Sequence, residues 1–471
     1  MNDQQQRIKK GLELELRIES LAFGGLGLAR KNDFVVFVKG AIPGQKVLCR
    51  IYKKKKGYAE AYILKVLTQS SRKIKERCEH FYICSKLQIL SYPEQIKEKS
   101  TQVKDAFHRL SGFKDFKLNN IISAKKKYNY RNKMEFTFSS NRWVLDSEPE
   151  GADRSFALGL HIPGRYDKIL NIDKCNIQPK TGNKILKVVH KVCESYSDLK
   201  PYDPKTHNGF LRYLMIRYGF NTDQTMVNIV TAYEDVDKIS PIIDAIKNEV
   251  PEVTSIVNNI NTKKADVSYG EYEIVFHGNR TIEEKMNNLV FDISANSFFQ
   301  TNTLQGEKLY EQVAIYANLS GNEIIYDLYS GTGTISLFLA KNAKHVYGFE
   351  VIRSSLENAN QNAIKNDIKN ATFLKANLDT YFKTNQLPRN ILKPDIVVID
   401  PPRAGMHPDM VNSLSKLNAE KIIYVSCNPT TQARDVRILS DKGYDINKAT
   451  MIDMFPHTPH IETVVLLQKK N

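Results

Sequence analysis

The stretch Ile324-Ile325-Tyr326-Asp327-Leu328-Tyr329-Ser330-Gly331-Thr332-Gly333-Thr334 decides the class of fold. A short β-branched and aromatic run enters a turn with two glycines, and Ile335 to Lys341 follows as a helix. Strand, glycine turn and helix form the repeating unit of a mostly parallel α/β sheet. The pattern continues to the end of the chain, with further strands read at His345 to Glu350, Asp395 to Asp400, Lys421 to Ser426 and Thr463 to Gln468. Such sheets place their chemistry beyond the carboxyl ends of the strands, so the residues that follow each strand are the ones to weigh.

Upstream the periodicity changes. Residues 11–67 alternate apolar and polar positions in short pieces, separated by Gly24, Gly25, Gly27 and Pro43-Gly44, and predict an all-β unit of about five strands. Residues 68–285 mix patterns: Gln95 to Phe107 reads as a polar helix, and 134–138, 155–160, 211–218 and 225–230 as strands. At 471 residues about three domains fit, which we place at 1–67, 68–285 and 286–471. A hydrophobic fraction of 41% with 25% charged residues excludes a disordered or disulfide-scaffold chain. No apolar run is long enough to span a membrane. Met1 to Arg7 lacks the apolar core of a signal peptide, so we expect a cytoplasmic protein with reduced thiols.

The charge is unevenly placed. Residues 1–130 hold 28 basic and 12 acidic groups and residues 131–471 hold 40 of each, so the whole excess of +16 lies in the first part. A solvated lysine-rich surface would explain Lys53 to Lys56 alone. The excess also runs through Arg72, Lys73, Lys75, Arg77 and Lys125 to Lys127, as expected of a polyanion-binding arm. Tyr128 to Lys133 and Leu211 to Arg217 interleave aromatic and basic residues, a pattern shared by base-stacking surfaces and by half-buried strands.

Glu350 ends the second strand about twenty residues after the first, where an acid can bond both hydroxyls of a ribose. The glycine turn lacks the third Gly that admits a pyrophosphate, so S-adenosylmethionine, a nucleoside without phosphates, fits better than a nicotinamide cofactor. The next strand ends in Asp400-Pro401-Pro402-Arg403. Methyltransferases of exocyclic base amines need an aromatic residue at the position of Arg403, which disfavours that chemistry. Ser426-Cys427-Asn428-Pro429 puts a thiol on the same rim, and Phe455 to Glu462 offers it a carboxylate. A strand-end cysteine is often a small buried residue, and Glu462 could be a plain edge acid. Together, a thiol, a carboxylate and a methyl donor answer one chemical problem. C5 of uracil becomes nucleophilic only after a thiolate adds at C6, and a base must then remove the C5 proton. Cys427 and Glu462 suit those roles, with Arg434 as a candidate activator of the thiol.

Ala22 to Gly27 and Ala41 to Gln45 resemble the TRAM domain, an OB-like RNA-binding barrel. Ser294 to Asn302, Asp327 to Thr334, Asp400 to Gly405, Ser426 to Thr431 with Arg434-Asp435, and Phe455 to Glu462 resemble the RNA uracil-C5 methyltransferases, and closely resemble their 23S ribosomal-RNA branch. The resemblance implies a C-terminal Rossmann-like methyltransferase domain and a central α+β RNA-binding domain. It makes Cys427 the nucleophile and Glu462 the base. It places Gln300, Tyr329, Thr334, Glu350, Asn377 and Asp400 against S-adenosylmethionine. Ribosomal RNA is then the expected partner, transfer RNA the alternative, and nothing requires more than a monomer.

One departure concerns an iron–sulfur cluster that the ribosomal branch commonly binds through a C-x5-C-G-G-C motif and a fourth cysteine. Here Cys78 and Cys84 remain, with Cys175 as the possible fourth ligand, and Ser85 stands where the third thiol would align. Three thiols fall short of the usual four, so no cluster is expected; His80 is a candidate fourth ligand to zinc, but an ordinary histidine is the commoner outcome, and no metal is expected. Two rival readings remain. A methyltransferase of proteins or small molecules leaves the basic arm unexplained, and an inactive ribosome-assembly factor leaves no chemical reason for Cys427 and Glu462.

Overall fold

The computed structural model describes residues 7–265, 267–378 and 391–470; the N-terminal stretch 1–6 read above for a targeting signal lies outside them. The chain forms two compact units. One holds the chain up to Ala124, Pro401–Asn412 and the chain from Tyr424 onward; the other holds Lys125–Asp400 and Ser413–Ile423. No helix among the described residues is long and apolar enough to cross a membrane.

The first unit opens with a six-stranded sheet in the order Glu13–Arg17, Lys46–Lys54, Tyr58–Thr68, Phe34–Lys39, Leu26–Lys31, Ser20–Ala22. Alternation in the sequence becomes alternation of faces: Leu12, Leu14, Leu16 and Ile18 are buried, while Glu13, Glu15 and Arg17 face solvent. The inner positions make one core with Val36, Val38, Val47, Ile51 and Ala61. Gly27 has a packing reason, since a Cβ there would stand 2.9 Å from the Ala41 Cβ. Lys53 to Lys56 sit exposed at a hairpin tip.

In the same unit, from Tyr424 at the end of the strand Lys421–Ser426, the strands Glu462–Lys469, Tyr444–Ile452 and Asn120–Ile122 follow one another in a sheet. Asn120–Ile122 and Tyr444–Ile452 were not legible as strands. The first has three residues, and the second carries a bulge between Ile446 and Lys448 that breaks its alternation. They pair in parallel, Thr450 opposite Asn120. The helix read at Gln95 to Phe107 extends over Tyr92–Leu110 and packs on the helix Pro429–Ser440. Its polarity does not make it a surface helix, because Gln95, Glu98 and Lys99 are buried.

In the second unit, a seven-stranded sheet runs Arg165–Asn171, Ala157–Ile162, Lys133–Ser139, Leu211–Tyr218, Thr225–Thr231, Ser255–Ile260, Tyr272–Gly278. Helices Lys180–Ser195 and Val236–Glu249 pack against each other. The basic residues of Leu211–Tyr218 are not displayed. Arg212 is buried and donates to the carbonyls of Asn261, Lys263 and Ala265, and Arg217 is buried against those of Ala295 and Ser297. Backbone carbonyls of these loops give a buried guanidinium its partners.

Four parallel strands follow in the order Ala371–Lys375, His345–Glu350, Ile324–Leu328, Ile396–Ile399. Ala371–Lys375 escaped the sequence reading as a half-exposed edge strand. From Ile324–Leu328 the chain builds outward on one side and then returns to the other, which makes a switch point at the carboxyl ends of Ile324–Leu328 and Ile396–Ile399. Asn132 fixes the approach to these strands by donating to the Gln300 carbonyl and the Thr303 hydroxyl, each at 2.9 Å.

Candidate active site

In the second unit three of the six expected cofactor residues, Tyr329, Glu350 and Asn377, line one pocket, and Gln300, Thr334 and Asp400 are not among its lining residues. Tyr329, Gly331 and Gly333 have φ of 66°, 55° and 79°, so the turn leaves Leu328 through three left-handed residues. A tyrosine there is strained by about 1–2 kcal/mol, while the glycines are at ease. Gly333 also needs its hydrogen: a Cβ would lie 2.7 Å from the Phe373 ring and 3.0 Å from the Ala359 Cβ. Thr334 begins the helix Thr334–Ala340 and bonds the Tyr310 hydroxyl at 2.9 Å.

Glu350 locks this turn to its neighbour. Its carboxylate accepts the N–H groups of Gly331 at 3.0 Å, Val351 at 2.7 Å and Ile352 at 2.8 Å. Three donors fix its orientation before any ligand arrives. Tyr329, Glu350 and Asn377 line one pocket of about 240 Å³ with Phe349, Val351, Ala376 and Leu378. Val351 and Leu378 were not anticipated. The signal was available, since Val351-Ile352 is an apolar pair placed directly after the strand-end acid, and both residues are more than half exposed. Aliphatic side chains beside a fixed carboxylate suit a flat base carrying ribose hydroxyls, and the carboxylate disfavours phosphate. The donor set thus fits the nucleoside of S-adenosylmethionine.

Asp400 follows Ile396–Ile399, its N–H directed at the Leu328 carbonyl 3.4 Å away. Asp327 lies buried beside it, one carboxylate oxygen bonded by Ser336 and the other without a hydrogen-bond partner among the described residues. Burial, with each carboxyl's neighbouring acid adding to it, raises Asp327 and Asp400 from an ordinary 3.8 to about 7. Gln300 stands at the approach, its carbonyl held by Asn132.

The first unit holds the thiol and the second acid. Cys427 is half-buried between the strand Lys421–Ser426 and the helix Pro429–Ser440. Asn428 caps that helix by accepting the Thr430 N–H at 3.1 Å, and its amide donates to the Arg403 carbonyl at 3.0 Å. The thiol therefore sits directly before a capped helix N-terminus, whose partial positive charge favours a thiolate. Arg434 is engaged elsewhere: it donates to Asp435 at 2.8 Å and to the Met406 carbonyl at 2.9 Å. Asp435, fully buried, also accepts the Met406 N–H and the Tyr424 hydroxyl. The pair shapes the 404–406 loop.

Glu462 is buried at the start of Glu462–Lys469. Its neighbour Thr463 bonds the Ser426 carbonyl at 3.2 Å and the Gln432 side chain at 2.6 Å. One hydroxyl thereby joins the residue after the acid to the residue before the thiol. The loop leading to Glu462 is clamped by the helix Tyr92–Leu110. Lys99 Nζ reaches Asp453 at 2.6 Å and the Phe455 carbonyl at 3.1 Å, Tyr92 donates to Asp453 at 2.7 Å, and Gln95 accepts the His457 N–H at 2.9 Å. Gly25 packs from the barrel, where a Cβ would stand 3.1 Å from the Pro459 Cβ. No sequence signal pointed to Gln95 or Lys99, since their partners lie more than 350 positions away.

Near the altered cysteine motif, Ser85 is buried, accepts Gln88 at 2.6 Å and lies 3.4 Å from the Cys84 sulfur. Among the described residues no group of three or more His, Cys, Asp or Glu side chains is placed to hold a metal ion.

Comparisons with known proteins show the family. Residues 273–470 match the family model described as tRNA (uracil-5-)-methyltransferase, and residues 7–64 match the TRAM domain. An RNA methyltransferase of Chlorobaculum tepidum is 37% identical over 100% of this chain and 99% of its own length. One from Porphyromonas gingivalis is 37% identical over 96% of this chain and 99% of its own. The solved structure of a Pyrococcus abyssi tRNA (uracil-54, C5)-methyltransferase in complex with S-adenosyl-L-homocysteine is 29% identical, covers 96% of this chain and 100% of its own, and superposes with a TM-score of 0.75. The chain belongs to the S-adenosylmethionine-dependent RNA uracil-5 methyltransferase family and carries a TRAM domain at its N-terminus.

Proposed function

We propose that this enzyme methylates C5 of a uridine in 23S ribosomal RNA through a covalent adduct on Cys427. The observation that carries the reading is a thiol before a capped helix N-terminus, tied through Ser426 and Thr463 to a buried carboxylate. Cys427 adds to C6 of the uracil and pushes electrons toward C5. S-adenosylmethionine, when bound, supplies an electrophilic methyl group to that carbon. Glu462 then takes the C5 proton, the C5–C6 double bond re-forms and the Cys427 sulfur leaves. Glu350 and Tyr329, with Asn377, Gln300, Thr334 and Asp400, hold the cofactor in this reading. Residues 1–67, 68–285 and 286–471 serve as RNA-binding, RNA-recognising and methyl-transferring segments of a cytoplasmic monomer.

The TRAM domain and the basic first 130 residues support an RNA substrate. Transfer RNA is the second reading, favoured by the name of the Pyrococcus abyssi relative. The test is tritium release from ribosomal and transfer RNA transcripts carrying C5-tritiated uridine. Release from ribosomal RNA should vanish in Cys427→Ala. Glu462→Gln should accumulate a protein–RNA adduct that survives denaturation, since the methylated base cannot shed its proton. Release that persists in Cys427→Ala overturns the mechanism; release from transfer RNA alone overturns the substrate.

A further inference from the structure

A second cavity, of about 480 Å³, opens on the central sheet among Lys133–Ser139, Ala157–Ile162 and the segment Tyr202–Lys205. It has twice the volume of the Tyr329–Asn377 pocket and shares no residue with it. Its walls present the rings of His161, Tyr166 and Tyr202. The Tyr202 ring is backed by the guanidinium of Arg212, 4.3 Å from its centre. Three backbone carbonyls fix that guanidinium, so the ring is preorganised rather than mobile. His161 bonds the Tyr166 carbonyl at 2.8 Å and the Thr137 hydroxyl at 3.2 Å, which holds the opposite wall. Tyr166 itself is 82% exposed, a large ring that nothing in the core requires. Lys205 stands exposed at the rim.

Aromatic faces, hydroxyl and carboxylate groups between them and a cation at the mouth match a planar, hydrogen-bonding ring attached to an anion. We propose that this cavity receives an unpaired nucleobase of the RNA substrate, other than the methylated uracil, with a neighbouring phosphate against Lys205. The inference rests on the RNA reading and adds a recognition site to it. Stacking of one base is worth ~1–3 kcal/mol, roughly 5- to 150-fold in affinity.

The test is short-wave ultraviolet crosslinking of the full chain to total cellular RNA lacking the modification, with mass spectrometry of the crosslinked peptides. Nucleotide adducts are expected on Tyr166 or Tyr202. Tyr166→Ala combined with Lys205→Ala should weaken RNA binding at least ~5-fold and raise KM at constant kcat, with S-adenosylhomocysteine binding unchanged. The high exposure of both side chains keeps folding out of the comparison. Adducts found only elsewhere, with RNA affinity within about twofold of the parent, overturn the proposal. Adducts in the cavity without any methyl transfer uphold it and overturn the assigned reaction instead. RNA that is not retained at all overturns both.

Discussion

Replacing Lys99 by methionine removes the ammonium partner of the buried Asp453 carboxylate and the lysine donor to the Phe455 carbonyl. Lys99 and Asp453 expose 1% and 0% of their side chains, so water cannot replace what is lost. Removing one partner of such a pair costs about 3–5 kcal/mol, a large share of the ~5–15 kcal/mol that holds a domain folded. Urea unfolding followed by circular dichroism should show one transition shifted by that amount. Lys99→Met combined with Asp453→Leu should recover most of the loss, because no unpaired charge is then buried. Lys99→Met should also slow tritium release while sparing S-adenosylhomocysteine binding, since the clamped loop leads to Glu462. A shift below about 1 kcal/mol, or a double variant no better than the single, would refute the assigned role of the pair.

Gly333→Ala forces a Cβ into Phe373 at φ 79° and should lower S-adenosylhomocysteine affinity by roughly tenfold or more in calorimetry; unchanged affinity would mean the turn is not part of the cofactor site. Because Asp327 and Asp400 are raised from 3.8 to about 7, the folded state holds protons that the unfolded chain has released. Their contribution is present at low pH and lost as pH rises through about 7. Asp400→Asn should therefore gain in melting temperature over the parent across that window, and a difference independent of pH would contradict the assigned burial effect.

How much was legible depends on the range of the interaction. The βα turn at Tyr329–Gly333, the strand-end positions of Glu350, Asp400 and Cys427 and the alternating barrel strands are local, set by periodicity and backbone preference within a few residues. The central stripe at Arg212 and Arg217 was ambiguous, because a basic residue on a strand reads the same whether it faces RNA or caps a buried carbonyl.

The sequence by itself determined the class of fold, the motif order and the residue types that uracil-C5 chemistry needs. Only the tertiary structure decided what each polar side chain does there. Lys99 meets Asp453 across 354 positions and Gln95 meets His457 across 362, so a helix that looks solvated becomes the clamp on the Glu462 loop. Arg434 is drawn to Asp435 and a loop carbonyl. The reason is physical: a buried charge must find a partner, and the partner is chosen by where the folded chain brings one, not by sequence distance.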